Sequence, residues 1–331
     1  MLLLCSALCL SLNGLVGQDY IFDTNYGTSG KTVTPQEWLK CHFREACITS
    51  AGEMIMAGDV NSDSCILIKY DADGKIDNAF GSNGYVKPLL VGDTLVENIT
   101  GMVLQEGNIV LSVVIKDTIN YLMRFTSNGS VDNTFDADGT VAIKPVNAKI
   151  QINQLASAPS DKYMVTGSAG DHFLIARYNH DGTLDNTLDG TGVITEIHEY
   201  TGFFEDIVVM SDGSFIAGGS TSDYMPDPIL AKFDSEGSLV SGFGGTGVVV
   251  FPIPDSYDFI IAMIVQSDGK LLVTANSYEE EISDTWSIIV RLNTNGTPDE
   301  SFGEEGIVEF DPTWWYDKIM SLALQPDNKI L

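Results

Sequence analysis

The chain has 331 residues, with 17 Lys and Arg against 46 Asp and Glu, for a formal net charge of −29. So few cations cannot neutralise a run of phosphates, which excludes nucleic acid as a partner and disfavours docking on an anionic bilayer. Hydrophobic residues make up 44% and charged residues 19%, enough apolar material for a sizeable core, and 32 glycines against 11 prolines point to tight turns between short strands.

Residues 1–17, MLLLCSALCLSLNGLVG, are apolar and uncharged and give way at once to Gln18 and Asp19. The stretch is short for a membrane span and fits the hydrophobic region of an export signal, with Gly17 as the small residue before the cut. The mature chain is then expected outside the cell or on its surface, without membrane insertion. Three cysteines remain after the cut, Cys41, Cys47 and Cys65. The most local disulfide would join Cys41 to Cys47, with inert buried thiols as the alternative, and the lack of a CxxC pair argues against metal ligation.

From residue 23 onward the chain repeats itself. Five segments align without gaps: KYDADGKIDNAFGSNGYV from Lys69, RFTSNGSVDNTFDADGTV from Arg124, RYNHDGTLDNTLDGTGVI from Arg177, KFDSEGSLVSGFGGTGVV from Lys232 and RLNTNGTPDESFGEEGIV from Arg291. Their first glycines, Gly74, Gly129, Gly182, Gly237 and Gly296, are 55, 53, 55 and 59 residues apart. A further copy of the second half, DTNYGTSGKTV, begins at Asp23. Between these blocks lies a second one, as in VVMSDGSFIAGG from Val208 and IVQSDGKLLVTA from Ile264. The units run near 23–76, 77–131, 132–184, 185–239, 240–298 and 299–331, the last one partial.

In the clearest unit the apolar pattern predicts four strands, at 193–197, 206–210, 214–218 and 229–233, each bounded by Gly, Asp, Asn or Ser. Short strands between turn signals indicate an antiparallel meander, and a four-stranded unit repeated several times is the signature of an all-β propeller. A blade cannot bury both faces alone, so blades must stack. The recurrent aromatic at Tyr26, Phe80, Phe135, Phe243 and Phe302, replaced by Leu188 in one unit, is the predicted packing point.

The pattern of a cation, an aromatic or Leu, then Asn-x-Asp-Gly-Thr-Leu-Asp-x-x-Phe-Gly-x-x-Gly-x-Val, followed by Gln-x-Asp-Gly-Lys-Leu-Leu-Val, resembles the delta-60 repeat family of bacterial, mostly secreted or surface-associated proteins. The resemblance spans Asp23 to Leu331 and implies a β-propeller whose activity is largely unassigned, so it brings no catalytic residues with it. Leu188-Asp189, Val240 and Phe135-Asp136 depart from the pattern, which predicts altered turns there within an unchanged fold. In each complete unit another strand follows the Asp-Gly-Lys-type block, whereas the sixth stops at Leu331. The reading therefore expects five complete blades, a partial sixth and a longer reading frame.

Two kinds of residue could carry chemistry. Acidic turns such as Asp71-x-Asp73-Gly74-x-x-Asp77 place carboxylates at alternate positions, as a Ca²⁺ site would, although Asp and Asn in such turns also bond their own backbone. The second kind is a set of aromatics with adjacent acids: Trp38, Tyr200 with Phe203 and Phe204, Tyr257 with Phe259, and Trp314 with Trp315 and Tyr316, beside Glu37, Glu205 with Asp206, Asp258 and Asp317. Such residues suit stacking on sugars or holding cationic peptide groups. His42, His172, His180 and His198 form no metal-ligand spacing, and there is no nucleophile elbow, P-loop or dinucleotide fingerprint. The expected function is a binding or adhesion scaffold for a carbohydrate or protein ligand; the alternative is a hydrolase or lyase whose site is assembled from several blades. If 1–17 is an export signal, amino-terminal sequencing of the exported protein is expected to start near Gln18 and not at Met1.

Overall fold

A computed structural model describes residues 27, 31–32, 41–60, 64–90, 94–115, 119–144, 146–222, 225–251, 257–279, 284–310, 318–325 and 327–331. The export signal, Tyr26, Trp38, Trp314, Trp315 and Asp317 lie outside them. The described residues contain no helix. Five antiparallel four-stranded sheets follow one another along the chain, each with its strands side by side in chain order. Blade A consists of β1 (Cys41–Ile48), β2 (Met54–Val60), β3 (Ser64–Tyr70) and β4 (Tyr85–Val86). After a small hairpin of β5 (Leu89–Leu90) and β6 (Thr94–Leu95), blade B is β7 (Asn98–Gln105), β8 (Asn108–Ile115), β9 (Ile119–Phe125) and β10 (Thr140–Ala142).

Blade C is β11 (Ile150–Ala158), β12 (Lys162–Ala169), β13 (His172–Tyr178) and β14 (Val193–Ile194), and blade D is β15 (Gly202–Val209), β16 (Phe215–Thr221), β17 (Pro228–Phe233) and β18 (Val248–Val250). Blade E is β19 (Tyr257–Val265), β20 (Leu271–Glu279), β21 (Asp284–Leu292) and β22 (Ile307–Phe310). Two compact units divide the chain at Ile143 and Lys144, the first holding blades A and B and the second blades C, D and E.

The sheets are out of phase with the sequence units by one strand. Residues 193–197 read as the first strand of a unit, but Val193 and Ile194 pair with Ala176 and Ile175 and so close blade C as its fourth strand. The reason is local: Asp185 N–H bonds Arg177 O, Leu188 N–H bonds Asp185 O and Gly192 N–H bonds Leu188 O, a chain of turns that folds the segment straight back onto β13.

Within each unit the first strand of a blade lies against strands one to three of its predecessor: β7 on β1 to β3, β15 on β11 to β13, and β19 on β15 to β17. The repeated motif supplies a latch between neighbours. Gly81 N–H donates to Asn128 O at 2.8 Å, Asp189 N–H to Glu236 O at 2.7 Å and Gly244 N–H to Asn295 O at 2.9 Å, each reaching the Gly turn of the next blade. Beneath that bond the recurrent large residue packs under the turn glycine. A Cβ at Gly129 would lie 3.0 Å from the Phe80 ring, one at Gly237 2.9 Å from Leu188, and one at Gly296 3.0 Å from the Phe243 ring. These three glycines also hold φ between +83° and +92°, a conformation other residues reach only with strain. The predicted packing point is therefore correct for Phe80, Leu188 and Phe243.

The departures from the repeat pattern do not alter the turns. Asp136 and Asp189 take φ of 48° and 47°, close to the 54° and 61° of Gly81 and Gly244, because Asp tolerates the left-handed region better than most residues. At Gly27, N–H donates to Asp73 O, and Thr32 Oγ1 donates to Gly74 O at 2.6 Å, so the first copy of the motif latches onto blade A in the same way.

In blades B, C and E an ion pair braces the turn that leads to the fourth strand. Arg124 is fully buried; its Nε donates to Asp132 Oδ2 at 2.8 Å, its terminal nitrogen to Thr134 Oγ1 at 2.8 Å, and its guanidinium lies 4.8 Å from the Phe135 ring centre. Arg177 with Asp185 and Arg291 with Asp299 repeat the arrangement, and Lys162 and Lys270 each add a second cation to the same carboxylates. Blade D lacks the acid: Val240 stands in its place and Lys232 lies 5.9 Å from the Phe243 ring, yet Val240 N–H still bonds Lys232 O at 2.9 Å.

The cysteines correct one expectation. Neither Cys47 nor Cys65 takes part in a disulfide, so Cys41 and Cys47 are not bridged. Both belong to β1, six residues apart in an extended strand, roughly 20 Å, far beyond the reach of a disulfide. Burial first, then the Asp59 charge, pushes the Cys65 thiol up to about 12, which makes it a poor nucleophile.

Removing Asp132 would leave the Arg124 guanidinium buried without its counter-charge. Asp132→Ala is expected to cost about 3–5 kcal/mol, on the order of 10 °C in the melting transition followed by circular dichroism. A loss below about 1 kcal/mol would show that the clamp is not what braces the turn.

Candidate functional site

Every first strand breaks register at the same place. The shift falls between Phe43 and Glu45, Ile99 and Gly101, Ile152 and Gln154, Phe204 and Asp206, and Ile260 and Ala262. Each bulge adds one residue, respectively Arg44, Thr100, Asn153, Glu205 and Ile261, which the partner strand does not oppose. Small residues on the second strand accompany the bulge in three blades. A Cβ at Gly219 would run into the carbonyl oxygen of Phe203, and Gly58 and Gly167 meet the carbonyls of His42 and Gln151 in the same way.

In the second unit the bulges join neighbouring blades. Asn153 Nδ2 donates to Phe204 O at 2.9 Å, from blade C to blade D. Asp206 Oδ2 accepts from Met263 N–H at 2.7 Å, from blade D to blade E, while its Oδ1 accepts from Ile207 N–H at 2.8 Å. The Gln154 side chain also donates to Asp206. Even so, desolvation dominates and pushes the Asp206 carboxyl up to about 6. Desolvation, followed by repulsion from Asp206, pushes Glu205 up to about 7.

Aromatic rings stand beside this pair. Phe203 and Phe259, one register position before the ends of the regular pairing in β15 and β19, stack with centroids 6.4 Å apart and planes 22° apart. Tyr257 leans on Tyr278 at 6.1 Å. The strands begin here under restraint: Gly202 N–H bonds Asp171 O, Asp258 N–H bonds Pro226 O, and Ser220 Oγ donates to Asp258 O at 2.8 Å.

The candidate residues separate accordingly. Tyr257 is half-buried at the strand end, and Asp206 is half-buried but occupied by backbone N–H groups. Phe204 is fully buried against Phe173 at 4.5 Å, and Asp258 is fully buried, so neither belongs to an exposed face. Strand alternation explains this for Phe204: it points inward, while Phe203 before it is half-exposed. In the acidic turn, Asp71 Oδ1 accepts from Asp73 and Lys75 N–H at 3.0 and 2.8 Å, Asp77 lies 3.3 Å from Lys69 Nζ and accepts from Ala79 N–H, and Asp73 lies 3.9 Å from Lys75 Nζ. Each carboxylate thus has a partner within its own blade.

Three segments, 118–135, 158–188 and 266–302, match a family model described as "Domain of unknown function (DUF5122) beta-propeller". The chain is a β-propeller of repeated blades. No curated protein matches it. Among solved structures, it is similar to a polysaccharide lyase, a PL25 ulvan lyase, at 10% identity and a TM-score of 0.49, over 81% of this chain and 71% of the lyase. It is similar to a puromycin hydrolase at 13% identity and a TM-score of 0.49, over 88% of this chain but only 42% of the hydrolase. The Chaetomium thermophilum protein Sqt1, bound to the N-terminus of ribosomal protein L10, matches at 11% identity and a TM-score of 0.46, over 83% of this chain and 63% of Sqt1. These likenesses concern the fold.

The bulge predicts a pH response. An acid whose folded-state pKa stands above its unfolded value holds its proton more tightly in the fold, so stability falls as pH climbs between the two values. For Glu205 that interval runs from 4.5 to about 7, and for Asp206 from 3.8 to about 6. The melting temperature of the wild type is expected to fall between pH 5 and pH 7.5, and Glu205→Gln to flatten part of that fall, an effect on the order of 1 kcal/mol. Parallel curves for the two proteins would show that Glu205 is not desolvated.

Proposed function

We propose that the chain is a secreted or surface-associated propeller that binds a carbohydrate or protein ligand where β15 and β19 begin. The observation that supports this is the half-buried carboxylate of Glu205, which makes no hydrogen bond or ion pair among the described residues, two positions from the half-buried Phe203 and its stacked neighbour Phe259. Asp206 is committed to backbone N–H groups, which leaves Glu205 as the group available to a ligand. Flat rings beside a carboxylate suit the apolar face and hydroxyls of a sugar, or the cationic side chain of a peptide. Glycan and peptide arrays probed with the wild type are expected to show retained ligands, and Phe203→Ala with Phe259→Ala to weaken them by about tenfold, or 1.4 kcal/mol. Unchanged binding by the double variant would remove this reading.

A second reading rests on the same pair. A carboxyl pushed up to about 7 beside one pushed up to about 6 has the protonation range of a general acid or base near neutral pH, as a hydrolase or lyase needs. Turnover of a retained ligand, abolished by Glu205→Gln while binding persists, would select the enzyme over the scaffold.

A further inference from the structure

We propose that blade A carries a separate site, a carboxylate-binding clamp made by His42 and Arg44 on the buried side chain of Asp59. It does not depend on the reading of blades D and E. Asp59 is 7% exposed and uses both oxygens: Oδ2 lies 3.1 Å from His42 Nδ1, and Oδ1 accepts from Arg44 Nε at 3.1 Å. Both partners reach outward. The His42 side chain is 70% exposed and that of Arg44 52% exposed. Nδ1–H on the carboxylate fixes the ring, so that Nε2 faces away from Asp59. With Nε engaged, the two terminal nitrogens of Arg44 have no partner among the described residues, and they form the planar edge that matches a carboxylate with two parallel bonds.

Three features separate this arrangement from the braces elsewhere in the blades. Arg44 is the extra residue of the β1 bulge, which brings it to a carboxylate that also pairs with His42 across the ladder. The positions equivalent to Asp59 are Val114 in blade B, Ser168 in C, Ser220 in D and Asn276 in E, so the fold does not require an acid there. A buried charge is a poor way to gain stability, because desolvation offsets its attraction. What Asp59 does accomplish is to hold an imidazole and a guanidinium side by side at the surface of a chain whose net charge is −29. Arg44 and Asp59 cancel in charge, so the pair has no excess of positive charge to recruit a polyanion. Bidentate geometry selects a single carboxylate on an otherwise neutral ligand, from either of two sources: a sugar acid or the free C-terminus of a peptide.

Isothermal titration and ¹H–¹⁵N NMR of the whole chain test this with two matched pairs of probes: the monosaccharide galacturonate against its methyl ester, and an N-acetylated tripeptide without charged side chains against its C-terminal amide. One of the two acids is expected to bind, at least about tenfold more tightly than its neutral counterpart, and the pair that shows this identifies the source. Arg44→Met, which shortens no buried contact of the core, should remove that preference, and so should Asp59→Ser, the residue that blades C and D carry at this position. If Asp59→Ser fails to fold, the half-exposed Arg44→Met carries the test alone. The clamp is overturned if neither acid binds at about 10 mM, if acid and neutral probe bind alike, or if Arg44→Met binds as the wild type does.

Discussion

The architecture depends on one repeated contact between neighbours: the left-handed turn glycine of one blade seated over the large residue of the blade before it, with a backbone hydrogen bond alongside. Gly129 over Phe80, Gly237 over Leu188 and Gly296 over Phe243 are three instances of one geometry. A four-stranded sheet with two apolar faces leaves both in water unless neighbours cover them. The contact answers that need and also sets the stacking register, because the N–H of Gly81, Asp189 or Gly244 reaches only one carbonyl. Apolar burial follows from that placement. Phe173, Ile175, Leu188, Phe204, Phe215 and Phe233 all come from blades C and D and form one continuous core, each contributing about 1.5–3 kcal/mol when fully buried.

Ion pairs act at a second level. The Arg and Asp of each turn are charged groups inside the protein, and their backbones pair with each other whether or not the charges do, as Val240 and Lys232 demonstrate in blade D. Thr134, Thr187 and Ser301 complete the carboxylate's hydrogen bonds, which outweigh burial and hold Asp132 and Asp185 below the usual carboxylate range. Acid-side stability therefore rests on these turns, where protonation removes the acceptor, while the bulge carboxylates respond in the opposite direction at higher pH.

Much of this was legible in the sequence because a repeat is read by comparison with itself. The spacing of Gly74, Gly129, Gly182, Gly237 and Gly296 defined the blades, and Phe80 and Phe243 were recognisable as packing residues by recurrence alone. Recurrence could not say which strand begins a sheet: Val193 and Ile194 pair backward through turn bonds that a periodic pattern does not encode. Nor could it expose the bulges. Arg44, Thr100, Asn153, Glu205 and Ile261 share a position but no chemistry, so no motif links them. The aromatic signal left two neighbours open for the same reason: Phe203 and Phe204 are indistinguishable in a string, and only the pleat decides which of them meets solvent. For His42, Arg44 and Asp59 the readable sign was a departure, an acid where the aligned units have Val, Ser or Asn.

The bulge is a backbone event whose geometry is the same in five blades with five unrelated side chains. A position of that kind is a socket. The backbone bears the distortion, glycines opposite make room for it in three of the blades, and the identity of the side chain is not what creates it. The side chain at this position differs from blade to blade while the backbone event recurs, which lets a single scaffold vary its recognition chemistry by point substitution while its core stays constant.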